Sequence, residues 1–350
     1  MKIGIVTVYN SMNYGSFLQA YALKTFLENE SHEVSFFKWD TNRNLAWNSV
    51  IKPIIFRKSI SIKGIKAGLG RIKSFKKVKS YFRETENIDG LDLMIVGSDT
   101  LWDVARENFR NRTLYGDFEK DIPAISYAVS CSDSTANDFS RYSEITGKIK
   151  VFKHILVRDR HTQSVVKKSL NIESEVVCDP TLLVEENMWK IYDTQIDLTN
   201  SIIVYAYELS VEIIEHLKRY KGNKGLQLIS LCVYQPWCDL HINCSPIEFP
   251  SYLKRARHVV TNTFHGTIFS VLSESNLIVV KNGNKLRNLL EIFFDYDISL
   301  SQKCTYDEFL NKAFHRIDFL MIKTKIVKYR EHSRKIFRSV LDEISTDVKK

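Results

Sequence analysis

The sequence predicts an α/β protein built from two Rossmann-like domains with a cleft between them. Its 350 residues exceed what one hydrophobic core usually holds and suit two domains. Short apolar runs alternate with segments of helical spacing, which is typical of parallel sheets flanked by helices. The alternation restarts after Leu183, so a second series of strands and helices follows the first.

The first series predicts an N-terminal domain over residues 1–185, interrupted by a basic insertion at residues 51–83. Its strands are predicted from short apolar runs rich in β-branched residues: Lys2–Val8, Glu33–Phe37, Leu91–Val96, Ala124–Val129, His154–Val157 and Ser174–Cys178. Its helices are predicted from apolar residues three and four positions apart: Ser16–Glu28, Ser140–Lys150 and Arg160–Leu170.

The second series predicts a C-terminal domain over residues 186–313. The predicted strands are Ser201–Tyr205, Leu226–Leu231, His258–Val260 and Leu277–Val280. The predicted helices are Val211–Tyr220, Ile247–Ala256, Gly266–Ser273 and Asn284–Phe294. The remaining residues, 314–350, are basic, and their spacing predicts one long amphipathic helix or two over Phe314–Ile344.

Composition points to a soluble cytoplasmic protein. Hydrophobic residues make up 44% of the chain, and no apolar run reaches the ~18 residues that a membrane span needs. The first residues have a strand pattern and lack the features of a signal peptide. The six cysteines form no C-x-x-C pair, and the cluster from Cys232 to Cys244 matches no zinc module. We therefore expect reduced thiols and no metal.

The positive charge is concentrated in the basic insertion, which spans residues 51–83. This segment holds eleven Lys and Arg and no Asp or Glu, so the net charge of +9 becomes −2 without it. Ile, Phe, Leu and Tyr are interleaved with these charges. The alternatives are contact with an anionic membrane, contact with a polyanionic acceptor, and a solvated helical insertion without a partner. Nucleic-acid binding is not expected.

Four loops at the carboxyl ends of predicted strands carry the candidate site, because ligands of doubly wound sheets bind there. In the first loop, Asn13 and Gly15 stand where a helix begins, and Gly15 lets a ligand approach the backbone. In the second loop, Ser98 and Asp99 follow a buried strand, and Asp99 is suited to hold a sugar hydroxyl. The structural alternative for both loops is helix capping.

The third and fourth loops carry cationic or ionisable groups. Arg158 leaves a strand beside Asp159 and is suited to a carboxylate or a phosphate, with a plain ion pair as the alternative. His265 stands at a strand-to-helix junction, with Thr263 as a cap and Gly266 beside it. An anion at this helix N-terminus would touch the imidazole, which can carry a proton near neutral pH. The alternative is a histidine that caps the helix.

The order of these motifs resembles that of the polysaccharide pyruvyl transferase family. The similar segments extend from Met1 to about Phe294 and leave out the basic insertion and the tail. They are NYGSFLQAYAL, VGSDTLW, ISYAVS, VRDR, DPTLL, SPIEFPSYLKRARHVVTNTFHGTIFSVL and LRNLLEIF. The resemblance implies a GT-B-like fold and the transfer of pyruvate from phosphoenolpyruvate to sugar hydroxyls, usually as a cyclic ketal. It implies His265 as the general acid and Arg158 and Arg287 as donor-binding cations.

Two departures from the family pattern concern the loop before His265. Thr263 stands where the family usually has Ser, and it keeps the hydroxyl. Some members have Arg-Leu-His here, so one donor arginine is missing from this loop and Arg287 is expected to replace its charge. The expected donor substrate is phosphoenolpyruvate without a further cofactor, and the expected acceptor is a saccharide of a cell-surface polysaccharide or of its precursor, either soluble or lipid-linked. The alternatives are a GT-B-type glycosyltransferase with a nucleotide-sugar donor and a non-catalytic binding protein.

Overall fold

Two parallel β-sheets with flanking helices organise the chain in the computed structural model. The structure describes residues 1–39, 61–189, 192–194, 196–281, 283–313 and 315–348. Every strand pair within these ranges is parallel. This arrangement confirms the predicted α/β class, whereas the predicted domain boundary at residue 185 stays a prediction.

Seven strands form the first sheet, and they are β1 (Lys2–Val6), β2 (Glu33–Phe37), β3 (Glu84–Thr85), β4 (Leu93–Val96), β5 (Ala124–Val129), β6 (His154–Val157) and β7 (Glu175–Val176). Their order across the sheet is β3-β2-β1-β4-β5-β6-β7. The winding direction therefore reverses between β1 and β4. A crevice that can bind a ligand forms at such a switch point, outside the carboxyl ends of the two strands.

Six strands form the second sheet, and they are β8 (Ser201–Tyr205), β9 (Gln227–Leu231), β10 (Leu240–Ile242), β11 (His258–Thr261), β12 (Leu277–Val280) and β13 (Ser299–Leu300). Their order is β10-β9-β8-β11-β12-β13. The switch point of this sheet lies between β8 and β11. Each sheet thus directs one pair of loops toward a possible ligand.

The helices follow the strands in sequence. They are α1 (Tyr14–Asn29), α2 (Ile62–Lys76), α3 (Ala136–Arg141), α4 (Ser143–Thr146), α5 (Arg160–Leu170), α6 (Pro180–Leu183), α7 (Val211–Lys224), α8 (Phe249–Arg255), α9 (Phe264–Leu272), α10 (Gly283–Phe293), α11 (Tyr306–Ala313) and α12 (Phe319–Val348). Among the described helices, none is long and apolar enough to cross a membrane.

One predicted helix differs from the structure, while the tail and the basic insertion follow alternatives that the sequence left open. The predicted helix Ser140–Lys150 is replaced by α3 and α4, because a capping box of Thr135 and Asp138 starts α3 earlier and Tyr142 leaves the helical conformation with φ −112° and ψ 39°. The tail forms the single helix α12. The basic insertion contains α2, while its first ten residues, 51–60, lie outside the described part of the chain.

One continuous apolar core connects the two sheets. It includes Ile5 from the first sheet and Ile203 from the second. The ring of Tyr14 at the start of α1 packs 5.5 Å from that of Phe249, and its hydroxyl donates a hydrogen bond of 2.7 Å to the carbonyl of Cys244. The first turn of α1 is therefore held directly against the second half of the protein.

The C-terminal helix α12 returns to the first half of the chain. The ring of Phe337 stacks on that of Tyr127 at 4.2 Å, and Arg330 Nε donates to the carbonyl of Leu182 at 2.8 Å. Because Leu182 lies in α6, this helix supports the segment that carries the DPTLL motif.

Candidate active site

The N-termini of α1 and α9 meet where the two sheets face each other. Asn13 caps α1, since its side-chain Oδ1 accepts hydrogen bonds from the backbone N–H of Gly15 at 2.9 Å and of Ser16 at 3.2 Å. Thr263 caps α9 in the same way, accepting from the N–H of Gly266 at 3.0 Å. Both helices follow the switch-point strands of their sheets, so their positive ends point into one crevice.

Gly15 lies directly against the imidazole of His265. A Cβ atom at this position would stand 2.2 Å from Nδ1 and 2.6 Å from Cγ of the ring. Ordinary contacts of a Cβ atom begin at about 3.4 Å. Only glycine therefore leaves room for the imidazole in its present position, and the backbone of α1 forms one wall around it.

A buried carboxylate, Asp179, links His265 to Arg158. Its Oδ2 lies 3.2 Å from Arg158 Nη1 and 3.5 Å from His265 Nε2. Its Oδ1 accepts hydrogen bonds from the backbone N–H of Thr181 at 3.0 Å and from the Thr181 hydroxyl at 2.7 Å. Asp179 thus caps α6, with Pro180 at the first helical position, and its other oxygen faces both Arg158 and His265.

The charge of Asp179 is maintained by its neighbours. Burial alone would raise the pKa of Asp179, but the charge of His265, the contact with its ring and the charge of Arg158 hold this pKa well below its usual range. The Asp179 carboxylate is therefore an anion at neutral pH. It can balance a positive charge on His265 as well as that on Arg158.

Arg158 is buried between this carboxylate and an aromatic ring. Its side chain is 3% exposed, and its Cζ lies 4.3 Å from the ring centroid of Phe264. Among the described residues, Nε of Arg158 is buried and has no hydrogen-bond partner, whereas Nε2 of His265 faces Asp179 Oδ2 at 3.5 Å. Unpaired buried donors are costly, so the Nε–H of Arg158 is suited to a bound anion.

A cavity of about 100 Å³ opens at this point. Its lining residues come from both halves of the chain, and they are Asn13, Ser16, Asp99, Arg158, Tyr205, Tyr207, Asn262, Thr263, Phe264 and His265. This volume holds a small anionic substrate but not an oligosaccharide. A larger substrate would have to bind across the mouth of the cavity.

The carboxylate of Asp99 is oriented by two neighbours. Its Oδ2 accepts a hydrogen bond of 2.6 Å from the Ser16 hydroxyl, and its Oδ1 accepts one of 2.8 Å from the backbone N–H of Thr100. The residue has a positive φ of 83°, a conformation that is uncommon outside glycine. Asp99 is thus fixed on the wall opposite the second sheet.

Most of the predicted site residues come together in this crevice. Asn13, Asp99, Arg158, Thr263 and His265 line the cavity, while Gly15 and Gly266 contribute close backbone contacts beside it. Asn13 and Thr263 also cap their helices, which is the alternative role that the sequence left open for these two loops.

Two predicted residues lie elsewhere. Ser98 is fully buried behind the crevice, where its hydroxyl donates to Gln19 Oε1 at 2.8 Å. The side chain of Arg287 is 68% exposed, faces Glu291 at 3.9 Å, and lines a separate cavity of about 490 Å³ beside α10. The residues that line this second cavity and those that line the crevice do not overlap.

Sequence reasoning did not single out Asp179, Tyr205, Tyr207 or Asn262. The signal for Asp179 was present, because an acid before a proline follows the last strand of the first sheet. Asn262 follows β11, where its Oδ1 accepts from the backbone N–H of Tyr207 at 3.2 Å and its Nδ2 donates to the carbonyl of Glu208 at 2.6 Å. It joins the loops that follow β8 and β11.

The cysteine cluster predicted to hold no metal lies apart from the crevice. Cys232 and Cys244 are buried thiols whose Sγ atoms are 3.3 Å apart. Within the described residues, no three His, Cys, Asp or Glu side chains are grouped so that they could bind a metal ion. That the protein acts without a metal or cofactor remains a prediction.

The family model for polysaccharide pyruvyl transferase matches residues 13–284 of the chain. No curated protein sequence matches this chain.

Solved structures of two-domain sugar-nucleotide enzymes share the fold of this chain. A proposed UDP-N-acetylglucosamine 2-epimerase from Listeria monocytogenes is 9% identical, covers 99% of this chain and 97% of its own, and superposes with a TM-score of 0.60. The UDP-GlcNAc 2-epimerase from Neisseria meningitidis, bound to UDP-GlcNAc, is 9% identical over 98% of this chain and 100% of its own, with a TM-score of 0.53.

The glycotransferase of kitacinnamycin is also similar, with 12% identity over 98% of both chains and a TM-score of 0.51. At such low identities these likenesses show the fold alone. The two Rossmann-like domains are therefore arranged as in GT-B glycosyltransferases and epimerases.

Proposed function

The chain belongs to the polysaccharide pyruvyl transferase family, and from this premise we propose that it transfers pyruvate from phosphoenolpyruvate to the hydroxyls of a saccharide, with His265 as the general acid. One observation carries the proposal. His265 and Arg158 stand side by side on the buried carboxylate of Asp179, and Arg158 keeps its buried Nε unpaired among the described residues. A small dianionic or trianionic donor supplies an acceptor for this nitrogen and negative charge beside the imidazole.

The donor is proposed to bind in the crevice through both of its anionic groups. Phosphoenolpyruvate carries a carboxylate and a phosphate, and Arg158 suits either, because guanidinium binds such groups through two donors. The N-termini of α1 and α9 add a favourable potential for the second anionic group. The cavity of about 100 Å³ opens beside Arg158 and His265. Arg287, which lines the other cavity, is not supported as a donor ligand by its position.

The proposed reaction begins with a proton from His265. The imidazolium protonates C3 of phosphoenolpyruvate, so that the methylene becomes a methyl group and C2 acquires oxocarbenium character. A first sugar hydroxyl attacks C2 and returns its proton to His265. The bond between C2 and the phosphate oxygen then breaks, and a second hydroxyl attacks C2 to close the ketal. The proton of the second hydroxyl leaves with the phosphate.

Asp179 is proposed as a positioning residue in this reaction. Its carboxylate faces Nε2 of the imidazole at 3.5 Å and balances the charge of the ring before the proton is transferred. Asp99 is proposed to accept a hydrogen bond from an acceptor hydroxyl, because it lines the cavity and is itself oriented by Ser16 at 2.6 Å. The two carboxylates are therefore proposed to have separate roles.

Removing the imidazole tests the role of His265. Proton transfer from a placed acid contributes roughly 10²–10⁴ in rate, so His265→Ala should lose at least a hundredfold in phosphate release from phosphoenolpyruvate with a saccharide acceptor. A matched control is His332→Ala, which removes an exposed histidine from α12. A folded His265→Ala protein that retains more than about a tenth of the activity would exclude the general-acid role.

Calorimetric titration tests the donor without knowledge of the acceptor. We expect saturable binding of phosphoenolpyruvate to the wild-type protein and weaker binding to Arg158→Lys. The alternative donor is a nucleotide sugar, because the UDP-GlcNAc 2-epimerase from Neisseria meningitidis, which has the same fold, is bound to UDP-GlcNAc. Binding of a uridine diphosphate sugar, with no binding of phosphoenolpyruvate at millimolar concentration, would favour glycosyl transfer.

The acceptor is proposed to be a saccharide precursor of a cell-surface polysaccharide, such as an exopolysaccharide, carried on a lipid in the cytoplasm. The mouth of the crevice lies next to the basic helix α2, since Met12 contacts this helix and Asn13 lines the cavity. Comparison of a lipid-linked with a free acceptor tests this part. Equal kcat/KM for both forms would argue against lipid linkage.

A further inference from the structure

The basic helix α2 is fixed to the rim of the crevice by the face that carries Ala67, Gly70 and Arg71. Arg71 donates a hydrogen bond to the carbonyl of Met12, in the loop before α1. Asn243, from the second half of the chain, donates to the carbonyl of Ala67 at 3.0 Å. A Cβ atom on Gly70 would lie 2.5 Å from the Asn243 amide nitrogen, so the Asn243 side chain approaches the helix backbone closely at this glycine. The helix is therefore a packed part of the structure and not a solvated insertion.

The opposite face of α2 exposes apolar side chains to solvent. Ile62 is 75% exposed, Ile65 is 39% exposed and Leu69 is 59% exposed. These residues are three and four positions apart, so they form one stripe along the helix. Lysines are interspersed on the same outward side, and Lys66 and Lys73 are exposed within it. A stripe of aliphatic residues among lysines is typical of helices that lie in a membrane interface.

The charge around this face is not neutralised. Residues 61–83 hold eight Lys and Arg and no Asp or Glu. Within the described part of the chain, no ion pair involves the six lysines of this stretch, which are Lys63, Lys66, Lys73, Lys76, Lys77 and Lys79. By contrast, surface lysines such as Lys221 and Lys323 contact Asp239 and Glu274. Within the described residues the outward side of α2 therefore carries unpaired positive charge, while Glu84 and Glu86 line a cavity together with Lys76 and Lys79.

We propose that the outward face of α2 docks on an anionic phospholipid bilayer. Lysines attract the anionic headgroups, while Ile62, Ile65 and Leu69 enter the boundary between headgroups and acyl chains. A nucleic acid would satisfy the lysines but would leave the three aliphatic side chains in water. Because the other face of α2 contacts the loop of Met12 and Asn13, docking brings the crevice close to the membrane surface. The benefit for a lipid-linked acceptor rests on the proposed function, but the docking itself does not.

Co-sedimentation of the full chain with lipid vesicles tests this surface. We expect binding to vesicles of phosphatidylcholine mixed with phosphatidylglycerol, weakening with salt, and little binding to phosphatidylcholine alone. The double variant Lys66→Gln/Lys73→Gln should bind roughly 25-fold more weakly, since each lysine near an anionic surface contributes roughly fivefold. Leu69→Ser should weaken binding several-fold while the lysines remain.

A matched control separates this face from general basicity. Lys328 and Lys335 are exposed lysines of α12, and the variant Lys328→Gln/Lys335→Gln removes the same charge. Binding that the control weakens as much as the α2 variant would overturn the proposal. Equal binding to neutral vesicles would also overturn it, as would binding of duplex DNA without binding of anionic vesicles. Because these measurements use neither donor nor acceptor, they stand even if the protein fails to bind phosphoenolpyruvate.

Discussion

Replacing Gly15 by alanine tests how closely α1 must approach the imidazole of His265 for the proposed reaction. The new Cβ atom would stand 2.2 Å from Nδ1 of His265, whereas ordinary contacts begin at about 3.4 Å. Either the ring or the helix must therefore move by roughly 1 Å, and a displacement of this size at a reacting group costs roughly a hundredfold in rate. Alanine otherwise favours a helix over glycine by about 1 kcal/mol. We thus expect a folded protein with a large loss of activity.

The assay combines thermal unfolding with phosphate release from phosphoenolpyruvate in the presence of acceptor. Gly222→Ala is the matched control, because Gly222 also lies inside a helix, α7, and a Cβ atom there meets nothing within 4 Å. This control should keep full activity and gain some stability. If Gly15→Ala retained the activity of the control, the close contact of α1 with His265 would have no part in catalysis.

Further predictions concern the groups around the imidazole. Asp179→Asn should lose roughly 3–5 kcal/mol of stability, because it leaves Arg158 buried without its counter-charge, and guanidinium unfolding measures this loss. The pKa of Asp179 is lowered in the folded state, so its carboxylate stabilises the protein above a pH of about 4, and this contribution is lost as the pH falls further toward the folded value. The stability difference between wild type and Asp179→Asn should accordingly shrink below about pH 4, and a constant difference down to pH ~2 would contradict the charge assignment. Arg158→Lys should keep one positive charge but lose the two parallel N–H donors of the guanidinium. Calorimetry should therefore show that the affinity for phosphoenolpyruvate falls roughly tenfold or more. An unchanged affinity would contradict the role of Arg158 in donor binding. Gly266→Ala should destabilise the protein and reduce activity, since its Cβ atom would lie 2.3 Å from Thr261 Oγ1 and 2.5 Å from Thr263 Oγ1; an unchanged melting temperature would show that the loop adapts.

Much of the fold was predictable because most strands are short apolar runs that are buried on both sides. The runs at β2, β5, β6, β8 and β12 were predicted with the bounds that the structure has. The strands β3 and β13 have only two residues each, and β10 has three, so they are too short to show an alternating pattern. Their pairing depends on neighbouring strands rather than on their own residues.

The candidate site was predictable as a set of loops but not as a set of contacts. The rule that ligands bind at the carboxyl ends of parallel strands selected the loops of Asn13, Asp99, Arg158 and His265. It could not show that Asp179 would stand 3.2 Å from Arg158 and 3.5 Å from His265, because these contacts join segments far apart in sequence. The contact with His265 also depends on how the two halves of the chain face each other.

Arg287 shows the converse limit of a sequence pattern. Its position in a helix after β12 is compatible with a place beside the crevice, but a helix has several faces, and the motif does not say which one points inward. The structure turns this side chain outward, where it is 68% exposed and faces Glu291. The arginine that lines the crevice is instead Arg158, which is buried and held by Asp179.

Helix capping and substrate binding were treated as alternatives at Asn13 and Thr263, but the observed capping is compatible with the proposed binding. Each side chain uses an oxygen to hold the first turn of its helix, at 2.9 Å and 3.0 Å, and each also lines the cavity. A capped helix start has little freedom to move, so the remaining N–H groups keep a fixed direction toward a bound anion. Catalysis by positioned dipoles needs this rigidity before the substrate arrives. Loss of either cap should therefore lower donor affinity even though neither residue carries a charge.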